Sequence, residues 1–154
     1  MYTLIVILLM FVLPIISILV EIFLFKTASG IIPLIGKWFV FWAGGIRLFT
    51  AGLRQAITPQ FTAEAIFGIK SSEALIIVQE LGFANLSIGT LGIATIFKSA
   101  WVMPAVIAGG LFYGFASIRH LIKKEKNYLE NVATISDLFI FIVMLAYFIG
   151  TIVQ

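Results

Sequence analysis

Five stretches of this chain run close to the ~20 residues that an apolar helix needs to cross ~30 Å of hydrocarbon, and this limits what the chain can fold into. They cover about residues 2–25, 34–53, 74–97, 101–122 and 135–153. In lipid every backbone N–H and C=O must be satisfied within the protein, so such segments become helices. The expected fold is all-α, a polytopic transmembrane helical bundle forming a single domain over residues 1–154. Only 11% of the residues are charged, against roughly 25% in a soluble domain. The opening "MYTLIVILLM" lacks the basic region of a signal peptide, and its apolar stretch exceeds the ~7–15 residues usual for one. It is expected to be a retained membrane helix.

Within these spans Pro14 is expected to kink the first helix, and Pro104 falls where the first turns of the fourth can accept it. "TPQFTAEAIFGIK" is too short and too polar to cross. Thr58 followed by Pro59 reads as a helix start, so a short amphipathic helix is expected at the interface over about residues 58–68. Apart from the mid-span Arg47, six basic residues fall on the side of the N-terminus (Arg54, Lys70, Arg119, Lys123, Lys124 and Lys126) and three on the other (Lys26, Lys37 and Lys98). The bias toward the N-terminal side predicts a cytoplasmic N-terminus in the cell (inner) membrane. Trp38, Trp42 and Trp101 are placed at the outer face, as an aromatic belt.

No cysteine is present, which excludes disulfides, thiol redox chemistry and zinc–thiolate sites. The net charge of +3 is dispersed along the chain, without the concentrated basic face that nucleic acid requires.

The third span carries "ELGFANLSIGTLG". At ~100° per residue, Gly82, Asn85, Gly89 and Gly92 share one face, while Glu73, Glu80, Ala84 and Ser87 share the opposite one. The glycine face predicts close backbone packing, with Asn85 hydrogen-bonding across it. Gly110 and Gly114 of the fourth span offer a matching smooth surface. Because the Glu80 face also shuns lipid, the third span is expected to be central in the bundle.

A charge at the bilayer centre costs at least ~2.5–3.5 kcal/mol and marks a candidate functional site. Arg47 precedes Arg54 by seven residues and Glu80 follows Glu73 by seven, so at ~1.5 Å per residue both lie about 10 Å deep. An Arg47–Glu80 ion pair between antiparallel neighbours is therefore expected. His120 near the end of the fourth span and Asp137, about one turn inside the fifth, fall in the same half of the membrane. Asp137 also follows Thr134 at a capping-box spacing and reads as a cap. Glu73, beside Ser71 and Ser72, reads as a complement to its helix N-terminus. Arg54, Arg119 and the Lys123–Lys126 stretch read as headgroup contacts. Glu21 is expected to be solvated or paired with Lys26 or Lys37. The candidate ligand-binding set is Arg47, Glu80, Asn85, His120 and Asp137, with no catalytic or metal-ligating set.

At "FTAEAIFGI" and "QELGFANLSIG" the chain resembles an uncharacterised family of small bacterial integral membrane proteins related to the DoxX-like group. The resemblance covers Phe61–Asp137 and places Glu80, Gly82, Ala84, Asn85, Leu86, His120, Asn131 and Asp137 on its pattern. The aromatic–Gln element is spaced differently here, and Arg119 stands where a glycine is usual. The resemblance implies a helical bundle with a polar pocket and supplies no reaction or substrate.

Four functions compete. A bundle could hold the polar head of a lipophilic or small anionic ligand, such as a quinone, phospholipid or metabolite, at the inner polar cluster; no cofactor is identified. An accessory or structural subunit of a larger membrane complex, or a homo-oligomer, would use Arg47–Glu80 only to set helix register. A proton-coupled transporter or channel needs polar steps through the outer half, where Glu21, Ser17, Thr90 and Thr95 are sparse. Membrane catalysis has acid–base groups in Glu80, His120 and Asp137 but no nucleophile, metal cluster or phosphate loop. The ligand-binding bundle ranks first.

Overall fold

The computed structural model describes residues 1–26 and 30–153. Among these residues five helices are long and apolar enough to cross a membrane: α1 (Tyr2–Phe23), α2 (Ile31–Ile57), α4 (Glu73–Ala94), α5 (Ser99–Ile122) and α6 (Tyr128–Ile152). The short helix α3 (Phe61–Ile66) follows α2. α1 stays helical through Pro14, with π-helical bonding over Leu8–Val12 just before it. A proline ring crowds the carbonyl four residues back and supplies no N–H; a wider turn relieves both effects. α2 carries a longer π-helical stretch over Val40–Arg47. Pro104 sits in the first turn after Ser99–Trp101, where its missing N–H is tolerated.

The most intimate contact joins α2 and α4. A Cβ on Gly92 would meet Gly45 N at 2.6 Å, and one on Gly52 would meet Gly82 O at 2.7 Å. Glycine is thus required on both helices for the backbones to approach this closely. Asn85 Nδ2 donates to Gln55 Oε1 at 2.7 Å across the seam, and Gln79 Nε2 donates to Ala56 O at 3.1 Å. The glycine face read from the sequence is therefore the α2–α4 interface. Gly110 and Gly114 turn elsewhere: they face Met144 and Phe141 of α6.

The third span is not the central one. In its most apolar window α4 is 22% buried, against 44% for both α2 and α5. Val40, Ala43, Tyr113, Ile140 and Met144 fill the core between α2, α5 and α6. Glu80, Ala84 and Ser87 lie exposed on the outward face of α4.

α3 folds back over one end of the bundle, burying Thr62, Ala63 and Ile66. The Arg54 guanidinium stacks 3.4 Å from the centroid of the Phe61 ring. At the other end Glu21 accepts from Lys37 Nζ at 2.8 Å and Trp38 Nε1 at 2.6 Å, while Trp42 Nε1 donates to Ser17 Oγ at 2.9 Å. Glu21 is thus paired with Lys37.

Candidate functional site

Beneath α3 a cavity of about 320 Å³ opens among α2, α4, α5 and α6. α2 contributes Arg47 and Gln55, α4 contributes Leu81 and Asn85, and α6 contributes Asp137. α5 supplies Phe112, Tyr113, Phe115, Ala116, Arg119 and His120, while Tyr2 enters from α1. Thr62, Ile66 and Phe67 close the top. Four of the five candidate residues therefore meet at one cavity, and Glu80 does not.

The Arg47–Glu80 ion pair is absent. Gln79 lies beside Ala56, so the antiparallel register of α2 and α4 sets Glu80 near Gln55, eight residues from Arg47 along α2, roughly 12 Å at 1.5 Å per residue. Rotation separates them as well. Asn85 and the glycines occupy the face toward α2, which leaves Glu80 on the far side of its helix.

Arg47 sits at the end of the π-helical stretch of α2. Its Nη2 donates to Tyr2 OH at 3.3 Å, and its guanidinium carbon lies 5.5 Å from the centroid of the Tyr2 ring. Among the described residues its Nε is buried without a partner, as is Oδ1 of Asn85, a residue only 2% exposed. Tyr113 OH donates to Ala43 O at 2.7 Å, tying α5 to the π-helical part of α2. Tyr2, Gln55 and Tyr113 are not among the candidates that the sequence singles out. In an apolar helix a tyrosine or glutamine carries no more signal than any packing residue.

Asp137 is not a helix cap. α6 begins at Tyr128, and its N-cap is Asn127, whose side chain accepts from Glu130 N at 2.9 Å. Asp137 therefore stands nine residues inside α6, half-buried against the cavity. Among the described residues its carboxylate receives no hydrogen bond and has no ion-pair partner. Arg47 and Asp137 thus share one cavity without touching.

Behind His120 stands a buried polar cluster. His120 Nδ1 lies 3.2 Å from Glu130 Oε1, and Lys123 Nζ donates to Glu130 Oε2 at 2.7 Å. Lys123 also donates to Phe67 O at 3.2 Å, and Asn127 Nδ2 donates to Ala65 O and Ile66 O at 3.1 and 3.0 Å. These bonds fasten the α5–α6 turn to α3, the cavity's roof. Lys123 is thus an ion-pair partner rather than a headgroup contact. Sequence reasoning passes over Glu130 and Lys123 as supports of the site. The signal that could have found them is Asn127, a good N-cap residue, which starts α6 early and brings Glu130 opposite His120. With Nδ1 engaged, Nε2 is the imidazole nitrogen left for a ligand.

Phe115 and Arg119 are exposed, and α4 presents Leu81 across from them. The cavity therefore reaches the surface where α5 carries Phe115 and Arg119. Such a site can hold a polar group among Arg47, Asn85, His120 and Asp137 while apolar aromatic walls receive a chain. Among the described residues, no group of three or more His, Cys, Asp or Glu is placed to hold a metal ion.

In comparisons with known proteins, the model of a family described as "Family of unknown function (DUF6790)" matches residues 3–152. No curated protein matches the chain, and no solved structure matches it. The comparisons thus agree with the uncharacterised family expected from the sequence, and they lend no support to a relation with the DoxX-like group.

Proposed function

The chain belongs to the DUF6790 family of unknown function, and we propose that it is a membrane bundle that binds the polar head of a lipophilic ligand in the cavity beneath α3. One observation carries this reading: Arg47 and Asp137, opposite charges from two membrane-length helices, line one cavity without pairing with each other. A bound polar head supplies partners to both charges, and the cavity's edge at exposed Phe115 leaves room for an acyl or isoprenoid chain. The volume lies near the lower bound of the ~300–1,000 Å³ common for ligand sites. In this reading the polar end of the bundle, with the N-terminus, faces the cytoplasm in the inner membrane.

The test is native mass spectrometry of the protein purified in mild detergent. A lipophile that co-purifies with the wild type and is lost from Arg47→Ala is the expected result. Equal retention by both proteins, or none by either after supplementation with membrane lipid extract, overturns the proposal.

A second reading rests on the exposed Glu80 face of α4. An exposed carboxylate on a membrane-length helix, turned away from its own bundle, suits an accessory subunit whose partner covers it. Crosslinking from position 80 in membranes tests it: a specific adduct is expected, and lipid adducts alone reject it.

A further inference from the structure

The unmet groups around the cavity are of opposite kinds. Arg47 of α2 lines it as a cation, and among the described residues its side chain donates only to the Tyr2 hydroxyl. The Asp137 carboxylate, an acceptor set on another helix, receives nothing from the described residues. A ligand that only accepts, such as a quinone ring or a fatty-acid carboxylate, satisfies Arg47 but leaves Asp137 unmet. A cation alone does the reverse.

We infer that the ligand head is zwitterionic, an N–H-bearing ammonium joined over a few bonds to a phosphate or carboxylate. Its anionic group sits on Arg47, with exposed Arg119 at the cavity's edge to steer it, and its ammonium donates to Asp137. This inference rests on the cavity being a ligand site and adds the class of ligand. Hydrogen-bonded recognition at Asp137 requires N–H, so a trimethylated ammonium is discriminated against. The same head chemistry occurs in the membrane, as an aminophospholipid, and in water, as a free amino-phosphate or amino acid.

The test titrates the full chain in detergent with phosphatidylethanolamine, its N-methyl, N,N-dimethyl and N,N,N-trimethyl forms, and phosphatidylglycerol, all with the same acyl chains. O-phosphoethanolamine is run as the soluble head, and binding is read by native mass spectrometry. The wild type is expected to bind the primary amine about tenfold more tightly than the trimethyl lipid and than phosphatidylglycerol, the size of lost hydrogen bonds to a charged group. Asp137→Asn is expected to abolish that preference, while Glu80→Gln, outside the cavity, keeps it. Binding of the diacyl lipid alone identifies the membrane as the source, and binding of the soluble head identifies water; both support the inference.

Equal affinity across the methyl series, or preference for phosphatidylglycerol, overturns the zwitterion while leaving the cavity a ligand site. Binding of every probe unchanged in both Arg47→Gln and Asp137→Asn overturns the site itself. Should either variant fail to fold, the methyl series on the wild type decides alone.

Discussion

His120 Nδ1 and Glu130 Oε1 face each other at 3.2 Å across the turn between α5 and α6, and Glu130 is only 2% exposed. This contact fixes the histidine ring at the cavity edge, with Lys123 holding the other carboxylate oxygen. Truncating Glu130 leaves its neighbours without their acceptor, whereas truncating Lys123, which is partly exposed, lets water reach the cluster. Glu130→Ala is therefore expected to destabilise the fold by roughly 2–4 kcal/mol and Lys123→Ala by about 1 kcal/mol. Thermal melts in one detergent check the order; equal losses would contradict the buried position of the carboxylate.

The α2–α4 seam depends on the absence of side chains. With a Cβ on Gly92 only 2.6 Å from Gly45 N, Gly92→Ala must push the two backbones apart, which is expected to cost about 1–3 kcal/mol. Gly30→Ala serves as the control, because among the described residues its added Cβ would meet nothing nearer than Pro33 Cδ at 3.9 Å. Melting temperatures of the two variants should differ clearly, with Gly30→Ala close to wild type.

Tyr113 OH reaches across from α5 to Ala43 O, within the π-helical stretch of α2. Tyr113→Phe removes the hydroxyl and deprives that buried carbonyl of its donor, for an expected loss of ~1–2 kcal/mol. Hydrogen exchange over Val40–Arg47 should quicken in this variant more than in Tyr2→Phe, whose bond to Arg47 is longer at 3.3 Å.

Arg47 and Glu80 are expected to act independently. In a double-mutant cycle of Arg47→Gln and Glu80→Gln, the coupling energy should fall within about 0.5 kcal/mol of zero, as for separated sites. A coupling of ~2 kcal/mol or more would restore the ion pair that the structure lacks.

The place of Glu80 is partly legible in the sequence. Once Gly82, Asn85, Gly89 and Gly92 are assigned to the seam with α2, a residue on the opposite face of α4 cannot also meet Arg47 of α2. Register is the part that periodicity does not carry. Counting from Arg54 and Glu73 assumes that these two lie level, yet Gln79 sits against Ala56. Asp137 is misplaced for a related reason: the polar residues of the first turns of α6 lower local hydropathy, which sets the apparent start near residue 135 rather than at Tyr128.

The five membrane-length helices, the short helix between the second and third, and the small-residue face of α4 are all legible in the order of the amino acids. Each follows from hydropathy or helical periodicity within one segment, where neighbours along the chain carry the signal. Only the assembled bundle decided which polar groups share a cavity. That depends on how far each helix is rotated and slid against the next, and those two quantities are set by close packing between segments far apart in the chain. Asp137 therefore stands across the cavity from Arg47 while Glu80 points away.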